Sequence, residues 1–208
     1  MQKTFTYIDD HFEGMVKDLQ AFCAQPSIAA QNIGMAETAH MLVQKMQEAG
    51  IEARVLENEN GYPVVYGEAK GNSDKTLLFY NHYDVQPPEP IEKWNYPPFG
   101  SEIHDGILYA RGCSDNKGTL LSRVHAIEAI LKSGHTLPVN VKFLVEHYEK
   151  NGLRWDFDLV VIDELSSFKN YQSQRFKWLR KVRPFVKRWV GLTGTPTSNG
   201  LMDLWAEI

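Results

Sequence analysis

Apolar residues recur at helical spacing through Phe5, Ile8, Phe12, Met15, Val16, Leu19 and Phe22. Positions three and four apart share one helix face, so this pattern predicts a helix over 5–25. Ala39, Leu42, Val43 and Met46 predict a second helix over 37–49, ended by Gly50. Strands follow at 51–56 and 63–66, joined by the turn-forming Glu57-Asn58-Glu59-Asn60-Gly61. The run 76–80 reads as a buried strand that delivers Asn81-His82-Tyr83-Asp84 at its C-terminal end. Pro87, Pro88, Pro90, Pro97 and Pro98 mark a loop. A short strand over 106–110, a largely apolar helix over 118–132 and a strand over 139–145 complete this region. Beyond it, 159–162 and 189–192 read as strands, and 173–182 and 199–208 have helical spacing. Strands alternating with helices predict an α/β fold, a largely parallel sheet flanked by helices.

Composition narrows the classes. In 208 residues no apolar run approaches the roughly 20 that span a bilayer, so no membrane partner is expected. The first eleven residues are polar and of mixed charge, unlike a signal peptide. Cys23 and Cys113 are too few for a disulfide framework, which makes a cytoplasmic protein the expectation. The net charge of −4 hides a split. Residues 1–146 hold 12 Lys and Arg against 19 Asp and Glu, whereas 147–208 hold 10 against 7. Such asymmetry predicts different partners or histories for the two parts.

The strand ending at His82 carries the first candidate chemistry. Ligands in α/β sheets collect at the C-terminal ends of strands, and positions 82 and 84 point to one side. A carboxylate beside an imidazole fixes its tautomer and raises its basicity, as zinc ligands require. Asp115, just before a helix, adds a hard oxygen donor. On spacing alone, a capped loop histidine and an N-capping aspartate account for the same residues.

The longer string is more specific. It runs Phe79-Tyr80-Asn81-His82-Tyr83-Asp84-Val85-Gln86, then Trp94, Pro98-Phe99, then Asp105-Gly106 through Arg111-Gly112-Cys113-Ser114-Asp115-Asn116-Lys117-Gly118. Over about residues 1–146 it resembles the zinc-dependent exopeptidase family of carboxypeptidase G, carnosinase-type dipeptidases and succinyl-diaminopimelate desuccinylase. The resemblance implies that His82 ligates one zinc, Asp115 bridges two, and Asp84 orients His82. It implies hydrolysis of a small peptide or amide substrate, with a metal-activated water as nucleophile and a glutamate taking its proton. The family's next motif reads Glu-Gly-x-Glu-Glu. Here the residues are Glu146-His147-Tyr148-Glu149-Lys150. Glu149 falls on the base position. Lys150 falls where an anionic ligand belongs, and an ammonium has no lone pair to offer. Its repulsion of a cation is about 4 kcal/mol per unit-charge pair at 4 Å and an effective dielectric of 20. Later family ligands have no counterpart after Glu146, so weak zinc binding and an inactive peptidase site are expected.

The remaining residues suggest other chemistry. An apolar strand ends in Asp163-Glu164, and Leu192-Thr193-Gly194-Thr195-Pro196 follows later. Over about 144–208 this resembles the second and third motifs of Swi/Snf-like, phage-type helicases. The resemblance implies that Asp163 meets Mg²⁺ through water, that Glu164 is a catalytic base, and that Thr193, Gly194 and Thr195 couple nucleotide state to movement. No G-x-x-x-x-G-K-S/T loop is present, so Mg-ATP binding is not expected. Lys177, Arg180, Lys181, Arg183, Lys187 and Arg188, interleaved with aromatics, predict either weak, salt-sensitive nucleic-acid binding or a solvated helix face. The expected organisation is a truncated zinc-peptidase-like catalytic domain at 1–146 and a helicase-core fragment at 147–208. Such a fusion is a metallopeptidase-like hydrolase, a nucleic-acid-binding or ATPase remnant, or a non-functional product. Its unpaired edges predict self-association.

Overall fold

The computed structural model describes residues 2–57, 61–146 and the backbone of two later strands, 157–162 and 186–191. Helix α1 spans Gln2–Ala24 and α2 Met35–Glu48. Strands β1 Glu52–Leu56, β2 Val64–Ala69 and β3 Thr76–His82 follow. A small hairpin pairs β4 Glu102–His104 with β5 Ile107–Tyr109. Helix α3 Lys117–Lys132 leads to β6 Asn140–Glu146, and then come β7 Phe157–Ile162 and β8 Val186–Gly191.

Six strands form one sheet in the order β1-β2-β6-β3-β7-β8. Pairs β3–β6, β3–β7 and β7–β8 are parallel, whereas β1–β2 and β2–β6 are antiparallel. The sheet is therefore mixed, which corrects the expectation of a largely parallel one. The cause is the short link between β1 and β2. It allows only a reversal of direction, and β2 then enters beside β6 running against it. Strand β7 extends the sheet on the far side of β3.

The core lies between the three helices and the sheet. Leu42 and Met46 of α2, Leu120, Leu121 and Val124 of α3, and Val65, Val141, Phe143 and Val145 of the strands are all buried in it. Phe143 packs on Phe79 with ring centroids 5.2 Å apart. Strand β6 is central, and its last four residues, Phe143 to Glu146, are all buried. The β4–β5 hairpin turns at Asp105 and Gly106, with φ of 51° and 77°. Both are left-handed, as a tight two-residue hairpin turn requires, and Asp-Gly is a sequence suited to it. Among the described residues no helix is long and apolar enough to cross a membrane.

Candidate metal centre

His82 is the last residue of β3, and its register partner on β6 is Glu146. The chain leaving β3 is anchored immediately. Tyr83 is fully buried, and its hydroxyl donates to the Pro63 carbonyl at 2.7 Å. Ser27 Oγ donates to the Tyr83 carbonyl at 2.7 Å, and Val85 N donates to the Ser27 carbonyl at 2.8 Å. These bonds hold the segment carrying Asp84 against the α1–α2 connection.

Asp115 comes from a second segment, a turn that closes on the N-terminus of α3. Two glycines make the turn possible. Gly112 adopts φ of 87° and has no room for a side chain, since a Cβ would lie 2.5 Å from Val85 Cγ1. A Cβ on Gly118 would lie 2.0 Å from the Cys113 carbonyl oxygen. The peptide between Asp115 and Asn116 is cis. Lys117 is fully buried, and its ammonium donates to the Phe22 and Gln25 carbonyls at 2.9 and 2.5 Å. These carbonyls lie at the C-terminal end of α1, where a cation complements the helix dipole. Burial nevertheless lowers the Lys117 pKa to about 8.

The two segments meet at His82. Its Nδ1 lies 3.0 Å from Asp84 Oδ1 and 3.1 Å from the Asp84 carbonyl oxygen, and its Nε2 lies 3.1 Å from Asp115 Oδ1. An ionised carboxylate only accepts, so the imidazole that donates to both carries two protons. Burial pulls its pKa down, but the hydrogen bonds and charges of Asp115 and Asp84 outweigh this and raise it to about 10. A positive group thus already stands between two carboxylates. Exchanging the Nε2 proton for a divalent cation would add one positive charge and neutralise both carboxylates, with Asp84 holding Nδ1–H. Imidazole nitrogen and carboxylate oxygen suit a borderline ion such as zinc. Asp115 is half exposed, its side chain at 54%, so the pair is open to solvent.

The structure brings together three of the four residues that the peptidase resemblance assigns, His82, Asp84 and Asp115. Glu149 lies outside the described residues. So do Asp163, Glu164, Thr193, Gly194, Thr195, Lys177, Arg180, Lys181 and Arg183, and the side chains of Lys187 and Arg188. Among the described residues no group of three or more His, Cys, Asp or Glu is placed to hold a metal ion. Sequence reasoning missed Asn81, Asn116, Lys117 and Arg123, which are packed behind the pair. The available signal was a lone arginine on the apolar helix at 118–132, and polar residues adjoining each ligand.

Residues 78–168 match the family model Peptidase family M20/M25/M40. The chain is 30% identical over 168 residues to human Beta-Ala-His dipeptidase, covering 73% of this chain and 33% of that protein. It is 30% identical over 176 residues to the Cys-Gly metallodipeptidase of Schizosaccharomyces pombe, covering 77% and 37%. An M20 family metallo-carboxypeptidase structure from Sulfolobus solfataricus superposes with a TM-score of 0.65 and 40% identity, over 72% of this chain and 38% of that one. The chain spans about a third of the length of these curated relatives. In its N-terminal part, this chain is similar to peptidases of the M20 family.

Proposed function

We propose that this chain has the metal-binding core of a peptide- or amide-bond hydrolase, in which His82 Nε2 and Asp115 hold a divalent cation, and that its own turnover is low. The observation that carries the reading is the line Asp84–His82–Asp115, with 3.0 and 3.1 Å separations on either side of one imidazole. When bound, zinc would polarise an amide carbonyl and acidify water. The protein's own part is to orient and exclude. Asp84 occupies Nδ1 and leaves Nε2 as the ligating atom. Asp115 keeps an anionic oxygen at the exposed side, within reach of an entering ion. Glu149 is the proposed proton acceptor. By analogy with relatives named as Beta-Ala-His and Cys-Gly dipeptidases, the proposed substrate is a short peptide with a free carboxylate.

Low turnover follows from the donor count. His82 and Asp115 are two donors, and Lys150 brings a positive charge to the position where the family motif carries a carboxylate. The test is zinc affinity and hydrolysis of β-Ala-His and Cys-Gly by the full chain and its Lys150→Glu variant. We expect weak zinc binding and little turnover in the parent chain. We expect affinity to rise by about tenfold or more in the variant, because a repulsion is replaced by an attraction. Unchanged affinity would contradict the assignment of position 150.

A further inference from the structure

Buried polar side chains link the two segments that carry the candidate ligands. Asn81 precedes His82 on β3, and Asn116 follows Asp115 at the start of α3; each is only 1% exposed. Asn81 Nδ2 donates to Asn116 Oδ1 at 2.5 Å. Arg123 Nη1, two turns along α3, donates to Asn81 Oδ1 at 2.8 Å. Its guanidinium also lies over the Phe79 ring, 5.5 Å from the centroid. Phe79 and Asn81 share one face of β3, so Arg123 grips that face at two points.

The direction of this chain of bonds is forced. A guanidinium donates and never accepts. Asn81 must therefore turn its oxygen toward Arg123 and its NH₂ toward Asn116. Asn116 in turn presents its oxygen. The fixed charge of Arg123 orients the Asn81 amide, which in turn meets the Asn116 oxygen. Successive strand residues point to opposite faces. Asn81 thus ties β3 to α3, while His82 faces the other way toward Asp84 and Asp115. Buried polar groups need partners to offset their desolvation. Apolar packing at this place would hold α3 on the sheet equally well. What the amide link adds is a fixed distance between the residues adjoining the two ligands.

We infer that Asn81, Asn116 and Arg123 are positioning residues for the His82–Asp115 pair. They fix the Asp115 turn so that Oδ1 sits 3.1 Å from His82 Nε2. The inference rests on reading those two residues as metal ligands. Lys117 pins the same turn to α1, so the Asn81 link supplies the restraint on the β3 side.

The test measures Zn²⁺ affinity by chelator competition, together with the visible spectrum of bound Co²⁺ and thermal melting of the metal-free chain. Asn81→Ala should weaken zinc by about tenfold, the low end of what loss of a ligand's own outer-shell partner costs, because Asn81 acts one bond further out, and should alter the Co²⁺ spectrum. In an Asp115→Ala background the same change should have no further effect on affinity. Zinc affinity within twofold of the parent in Asn81→Ala, with binding lost in His82→Ala, would overturn the inference and leave the metal reading standing. Unchanged binding in both His82→Ala and Asp115→Ala would overturn the metal reading, and the inference with it. Should Asn81→Ala fail to fold, Arg123→Lys makes the same comparison. It keeps the charge but loses the planar fork, and its affinity should fall; an unchanged value overturns the inference.

Discussion

His82 in the metal-free chain is an imidazolium clamped between two carboxylates. Its folded pKa, raised to about 10 from the usual 6.5, has a thermodynamic consequence. The clamp's stabilisation is complete below about pH 6.5 and is lost as pH rises toward 10. The melting temperature of the metal-free chain, compared with that of His82→Gln, should show this excess shrinking across that window. The comparison cancels Lys117, whose lowered pKa makes stability rise with pH above about 8. A pH-independent difference would contradict the clamp. The cysteines offer a second test at this scale. Burial raises the Cys23 thiol to about 12, with Lys117 opposing and Cys113 adding to the shift. Cys23 is fully buried and Cys113 partly exposed. A thiol reagent at pH 8 should modify Cys113 in the native chain and reach Cys23 only in denaturant. Equal rates would show that the α1–α3 junction is open.

At the scale of elements, the N-terminus of α3 sets the Asp115 turn. Gly118→Ala drives a methyl group into the Cys113 carbonyl and should cost about 2–3 kcal/mol in urea unfolding. Gly14 in α1 is the control, because a Cβ there meets nothing within 4 Å. Gly14→Ala should stabilise by about 0.5–1 kcal/mol through helix propensity alone. Equal effects at the two positions would mean that the turn does not constrain Gly118. The helices themselves were legible in the sequence, because apolar spacing marks a buried face wherever it occurs. Their ends were less so. Helix α1 starts at Gln2, where its polar first turn carries no periodic signal. Strand β4 was missed because three residues with an exposed Ile103 leave no alternation to detect.

At the scale of the molecule, strand direction was only partly legible. The turn-rich link at 57–61 marks β1 and β2 as a reversal. The pairing of β2 with β6 joins residues 72 to 80 apart in the chain, and no local pattern encodes it. The same limit applies to the candidate centre. His82, Asp84 and Asp115 were readable from their motifs, whereas the amide link behind them depends on β3 and α3 meeting side by side. We propose that these two segments together hold a divalent ion. The most direct test is zinc content after equilibrium dialysis at fixed free Zn²⁺, for the parent chain, His82→Ala and Asp115→Ala, with far-ultraviolet circular dichroism confirming the fold. The parent should hold zinc that a chelator removes, and both variants should lose it. Equal zinc in all three proteins would contradict the proposal.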